Sequence, residues 1–253
     1  ARLQDGLGES FPDSPGTRII DVAFPLNDAF DPLLWCGQQA QWPQFYWQQR
    51  NGDEELATLG AVKTFTSLDA ANRFLRQSGR QDLRRAVLRL VLHSDISLRE
   101  DAATARAFLA SLTTTQATPG AIPPLLSERH SSDYPQWQAM IAQATKAISA
   151  GEMDKVVLAR ATDLQFAAPL DAVSIMAASR RSNLNCFHFL MAFNARQAFF
   201  GSTPERLWRR RGALLRTEAL AGTVANHQED AKAQQLADWL MKDDKNQREN
   251  MLV

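Results

Sequence analysis

The chain has 253 residues, with 28 Lys plus Arg balanced by 28 Asp plus Glu, so its formal net charge is zero. A hydrophobic fraction of 45% and a charged fraction of 22% exclude an intrinsically disordered chain, and a chain this long can remove roughly 70–75% of its extended surface from water. Zero net charge provides no global attraction to polyanions, so neither nucleic acid nor an acidic membrane is expected as a partner.

Cys36 and Cys186 are the two cysteines, with no C-x-x-C pair between them. Neither a disulfide scaffold nor a thiolate zinc site is expected, and a reducing cytosol suits both thiols. No stretch reaches the roughly 18 apolar residues of a membrane span, and the start, Ala1-Arg2-Leu3-Gln4-Asp5-Gly6, lacks an apolar signal region. A soluble, cytoplasmic protein is expected.

In chain order, alternation predicts strands at about 17–23, 44–50 and 55–63, the last two joined by Asn51-Gly52-Asp53, whose residues tolerate the positive φ of a tight hairpin. Between the first two strands, Phe30, Leu33, Leu34 and Gly37 fall at helical spacing over 28–40. Ser67 is placed to cap a helix over 67–77, and a strand at 86–92 follows abruptly after Arg84-Arg85 without turn residues. An amphipathic helix is predicted over 97–112. The Pro-, Gly- and Ser-containing stretch that follows, to about residue 133, has the composition of a linker. The next helix carries Trp137, Met140, Ile141, Ala144 and Ile148 on one face, with Pro135 near its start and Gly151 after its end. One long strand is predicted over 155–166 and a helix over 172–181. Strand pairs are predicted around Asn194-Ala195-Arg196 and around Arg211-Gly212, and one continuous helix over 228–253. These antiparallel connections with interspersed helices predict an α+β fold, with helices packed on a large, mainly antiparallel sheet.

The common nucleotide, zincin and hydrolase signatures are absent. His188, alternating with aromatics in Cys186-Phe187-His188-Phe189, reads as a satisfied strand residue, Cys186 as a buried strand residue and Cys36 as a helix residue near Trp35. Lys155 opens an apolar run after the Gly151-Glu152-Met153-Asp154 turn. Partial desolvation there would lower its pKa from about 10.4 and make it a usable base; a lysine that snorkels to water or pairs with Asp154 fits the same residues. Glu205 follows Pro204, which fixes the backbone before it, so the carboxyl either points into a cleft or forms a solvated pair with Arg206. Gly222, in Glu218-Ala219-Leu220-Ala221-Gly222-Thr223, permits close backbone approach to a carboxylate, or is a plain loop residue. By spacing alone Glu249 is a surface residue, and Trp208-Arg209-Arg210-Arg211 a solvated sheet face rather than a nucleic-acid site.

Four segments occur here in a characteristic order: Gly151-Glu152-Met153-Asp154-Lys155-Val156-Val157-Leu158-Ala159-Arg160, Gly201-Ser202-Thr203-Pro204-Glu205-Arg206-Leu207, Thr217-Glu218-Ala219-Leu220-Ala221-Gly222-Thr223 and Asp244-Lys245-Asn246-Gln247-Arg248-Glu249-Asn250. Together they resemble the chorismate-utilising enzymes, most closely the menaquinone-pathway isochorismate synthases. Residues 43–55 are also similar to the N-terminal region of those enzymes. The resemblance implies Mg²⁺-dependent conversion of chorismate to isochorismate. It implies Lys155 as the base activating water for attack at ring C2, and Glu205 as the acid protonating the departing C4 hydroxyl. Glu249 matches an Mg²⁺ ligand, and Gly222 with Thr223 the loop contacting the substrate carboxylate. Such chemistry needs a neutral base and a protonated acid.

It further implies a chorismate-utilising fold whose N-terminal part is 1–112, a linker-like loop at 113–132, and a catalytic core portion at 133–253 that is truncated at its C-terminus. Relatives making salicylate or aminodeoxychorismate, and a non-catalytic chorismate-binding module, are the alternative readings. The resemblance leaves the oligomeric state open.

Overall fold

The computed structural model describes residues 7, 11–23, 30–77, 87–218, 220, 222–225 and 229–251. They form ten strands and seven helices in two compact units, one built from residues 1–122 with 171–202 and the other from 123–170 with 203–253. The chain therefore passes between units more than once, and compactness does not follow linear order. The expected junction at Arg84-Arg85 lies outside the described residues.

The first unit contains a four-stranded sheet and a two-stranded one. In the larger, β2 (Gln44–Gln48) pairs antiparallel with both β3 (Glu55–Leu59) and β7 (Phe187–Asn194), and β8 (Gln197–Thr203) lies at the far edge beside β7. The β2–β3 turn follows its chemistry: Gly52 has φ +77 and its N–H donates to the Gln49 carbonyl at 2.8 Å. Helix α1 (Pro32–Gly37) and helix α5 (Ala172–Ser182) pack on this sheet around Leu33, Tyr46, Val173, Met176, Leu190 and Ala192. Each is capped by an aspartate: Asp31 accepts from the Leu33 and Leu34 amides, Asp171 from those of Val173 and Ser174. Gly37 lets the two helices approach closely, since a Cβ there would meet Val173 Cγ2 at 2.6 Å. Of the stretch 28–40 expected to be helical, residues 28 and 29 lie outside the described residues and helix α1 covers six, its start set by the Asp31-Pro32 cap.

The smaller sheet pairs β1 (Gly16–Ala23) antiparallel with β4 (Val87–Ser94), and helix α3 (Leu98–Ser111) packs against it through Leu98, Ala102 and Ala105. Ser97 caps that helix. Helix α2 (Leu68–Gln77) begins after Ser67, whose Oγ accepts from the Ala70 amide at 3.3 Å.

The second unit contains β5 (Leu125–His130) antiparallel to β6 (Thr162–Phe166), helix α4 (Tyr134–Ser149), the short hairpin β9 (Arg209–Arg211) with β10 (Leu214–Arg216), and helices α6 (Asp230–Lys242) and α7 (Asp244–Met251). Three expectations are corrected here. The loop expected over 113–132 carries β5 directly after Pro123-Pro124. The strand expected over 155–166 begins only at Thr162: β5 ends at His130, opposite Thr162, and Ser131 then turns back, its Oγ accepting from the Ala161 amide at 3.0 Å. The apolar run 156–159 thus has strand propensity without that partner. The helix expected over 228–253 is broken at Asp243, which ends α6 and caps α7.

Among the described residues, no helix is long and apolar enough to cross a membrane. The observed mixture of helices and antiparallel sheet is the expected α+β class.

Candidate functional site

All five residues singled out from the sequence, Lys155, Glu205, Gly222, Thr223 and Glu249, fall in the second unit. Lys155 follows the end of α4. There Gly151, at φ +73, donates to the Ile148 carbonyl and Glu152 to that of Ala147, turning the chain out of the helix. Lys155 is exposed and lies in irregular backbone rather than at the mouth of a strand. Of the two readings of Lys155, its exposed position fits the lysine open to water and not one desolvated at a strand mouth.

Glu205 sits just past β8. The Thr203 hydroxyl accepts from the Glu205 amide at 3.2 Å and lies 3.3 Å from its carbonyl, closing a tight turn around Pro204. The ion pair considered between Glu205 and Arg206 is not the one that orients the arginine: Arg206 Nη2 donates to Glu218, both side chains being about four-fifths buried. One step on, Thr217 Oγ1 donates to the Leu207 carbonyl at 2.9 Å. These two contacts fasten the Glu205 segment to the strand end that leads into Gly222.

Gly222 has φ +90, a conformation that glycine adopts without strain. A Cβ there would meet Asn246 Oδ1 at 3.0 Å and Leu240 Cδ1 at 3.2 Å, so the loop backbone lies directly on α6 and α7. Asn246 is in turn fixed by Asp243 Oδ2, which accepts from its amide at 3.0 Å and its side-chain Nδ2 at 2.8 Å. Glu249 stands three positions further along α7, and Thr223 is exposed. Three of the four motif segments are thus tied together, those of Glu205, Gly222 and α7, while Lys155 shares their unit.

Arg206, Glu218, Asp243, Asn246 and Leu240 hold this arrangement, and sequence reasoning gave them no such part. The Asp243-Asp244 pair was a readable signal for a helix cap; the Gly222–Asn246 contact had none.

The arrangement supplies an amine, a carboxyl on a rigid turn and a glycine loop against a helix bearing a further carboxylate. Such a donor set suits a hard cation. Mg²⁺ takes oxygen ligands and keeps several waters, needing one or two protein carboxylates. Among the described residues, no three His, Cys, Asp or Glu side chains converge as metal ligands. A cavity of about 450 Å³ lies elsewhere, in the first unit, lined by Lys63, His93, Asp95 and Glu100 among others.

His188 is buried, 4% exposed, with Nδ1 2.7 Å from Ser202 Oγ, which is in turn 2.7 Å from Ser179 Oγ. Burial, and secondarily the Arg180 charge, lower its pKa. It is the satisfied strand residue expected. Cys36 is buried in α1, which pushes its thiol up to about 12. Cys186, expected in a strand and buried, is half-buried just ahead of β7.

A family model described as "Chorismate binding enzyme" matches residues 78–253. The isochorismate synthase MenF of Escherichia coli strain K12 is 54% identical over 274 residues, covering 98% of this chain and 64% of its own length. MenF of Haemophilus influenzae is 34% identical over 248 residues, covering 89% of this chain and 57% of its own. The chain therefore spans about two thirds or less of the length of these relatives. The solved structure of the menaquinone-specific isochorismate synthase MenF from E. coli superposes with a TM-score of 0.93 at 52% identity, over 99% of this chain and 65% of that one. A putative 2,3-dihydroxybenzoate-specific isochorismate synthase from Bacillus anthracis shares the fold at a TM-score of 0.55 and 16% identity. With the family model spanning the four motif segments and most of the chain, this protein belongs to the chorismate binding enzyme family.

Proposed function

We propose that the protein is an isochorismate synthase, converting chorismate to isochorismate in menaquinone biosynthesis. The observation that carries this reading is the 54% identity to the E. coli isochorismate synthase across 98% of the chain. The intact motif residues support it.

In this reading Lys155 takes a proton from the water that attacks ring C2, and Glu205 gives a proton to the hydroxyl leaving C4. Water is a weak nucleophile without a base and hydroxide a poor leaving group without an acid, so each group acts on one half of the displacement. The Thr203–Glu205 turn restricts the swing of the acid. The Gly222–Thr223 backbone receives the substrate carboxylate, and the contact with Asn246 keeps that loop seated on α7. Glu249 would hold Mg²⁺, which would supply positive charge to offset the carboxylate of the substrate. We place the enzyme in the cytoplasm, with chorismate as its small-molecule substrate.

Incubating the protein expressed from its complete gene with chorismate and Mg²⁺, then separating the products by chromatography, tests the assignment. Isochorismate is the expected product. Salicylate, or turnover only when an ammonia source is added, would replace the assignment with a related chorismate reaction. Binding without conversion would make the protein a chorismate-binding module.

A further inference from the structure

The backbone pairing of the β9–β10 hairpin stops where Arg209 lies opposite Arg216. Beyond that point both legs run on as irregular chain, one back through residues 208–205 to Glu205 and the other forward through 217 and 218 toward Gly222. Hairpin legs that no ladder joins are free to splay. Here side chains hold them: Thr217 Oγ1 donates to the Leu207 carbonyl at 2.9 Å, and Arg206 Nη2 donates to Glu218. The Arg206 and Glu218 side chains are 19% and 21% exposed, whereas those of Arg129 and Asp163, an ion pair in the same unit, are 82% and 70% exposed.

Burying a charge pair is a poor route to stability, because desolvation of both ions offsets most of their attraction. What a guanidinium–carboxylate contact does supply is direction, since a planar fork meets the carboxylate in a narrow range of geometries. Arg206 is bonded directly to Glu205, whose amide is held by the Thr203 hydroxyl. Glu218 stands on the strand end leading to Gly222, whose backbone lies against Leu240 and Asn246. The pair thus spans the two segments that, in the reading given above, carry the acid and the loop for the substrate carboxylate. A misplacement of about 1 Å between such groups costs on the order of 10²-fold in rate.

We propose that the Arg206–Glu218 ion pair is a positioning device for the chorismate reaction, fixing the spacing between the Glu205 turn and the Gly222–Thr223 loop. In this role neither side chain transfers a proton. The inference rests on the assignment of Glu205 as the acid.

The test is steady-state kinetics on chorismate with Mg²⁺, using the protein expressed from its complete gene. Arg206→Met combined with Glu218→Leu removes the tie with apolar side chains of similar length, an exchange that leaves no buried ion unpaired and preserves the fold. This double variant should lose roughly tenfold to 10²-fold in kcat, with KM little changed and a denaturation midpoint no lower than the parent's. Glu218→Gln, which keeps an acceptor but removes the charge, should lower kcat in the same direction by a smaller factor, and serves if the double variant does not fold. Arg129→Gln, in the exposed pair, should match the parent. A role in stability alone predicts the opposite split, a lower midpoint with kcat per folded molecule unchanged. Amide hydrogen exchange gives a readout without turnover: residues 205–207 should exchange faster in the double variant, and β5–β6 should not. Unchanged kcat in a folded variant of an active parent, or unchanged exchange at residues 205–207, would overturn the proposal and leave the isochorismate assignment standing. A parent that makes no isochorismate would overturn the assignment and this inference with it.

Discussion

Lys155 and Glu205 illustrate how far a single side chain can be read. Both are exposed, one in irregular backbone after α4 and one on a turn closed by Thr203. Replacing either should leave the fold intact while removing one half of the proposed proton transfer. Lys155→Ala and Glu205→Gln should each lower kcat by roughly 10²–10⁴-fold with unchanged circular dichroism; near-normal turnover in either variant would remove that residue from the mechanism. His188 belongs to stability instead. Its folded pKa lies below the ordinary 6.5 through burial and the Arg180 charge. The unfolded chain therefore binds the proton more readily, and folding stability is complete above about pH 6.5 and declines as pH falls through the folded value. Denaturant titrations across that range should show this decline in the native protein and a weaker one in His188→Gln; an unaltered profile would assign the dependence to other groups.

At the level of elements, what was legible in the sequence was what is local. The Asn51-Gly52 turn, the Ser67 cap of α2 and the alternation of β7 each depend on a few neighbouring residues, and each formed as expected. Strand length was not legible at 155–161, because extended backbone needs a partner and β5 stops opposite Thr162. The α6–α7 break was legible only in part, since the apolar stripe runs through Leu236 and Leu240 and hides the cap at Asp243. In the candidate site, the motif residues could be named but not the packing that joins them. The Gly222–Asn246 contact links residues from separate elements. That contact predicts a specific cost. Gly222→Ala would place a Cβ at positive φ against Asn246 Oδ1 and destabilise the protein by about 1–2 kcal/mol, measurable as a lower denaturation midpoint. Equal stability would show that the loop lies off the helix in solution.

Across the whole molecule, burial and candidate chemistry are separated. Both buried apolar clusters, around Tyr46 and Leu190 and around Leu92 and Leu98, belong to the first unit. A largely buried ionic network reinforces it: Arg180 donates to Asp31, to the Tyr46 hydroxyl at 2.8 Å and to Glu55 at 3.3 Å. Burial opposes that charge, yet the hydrogen bond to Asp31 and the contacts with Tyr46 outweigh it and raise the Arg180 pKa. In the second unit neither α4 nor β5 has a buried residue, although every motif residue proposed for catalysis lies there. The claim on which the functional reading turns is that Lys155 and Glu205 act on the two ends of one displacement by water. Running the reaction in ¹⁸O-enriched water, with chorismate and Mg²⁺, and analysing the product by mass spectrometry measures this directly. Isochorismate carrying one heavy oxygen at C2 is predicted; isochorismate formed without the label would contradict it.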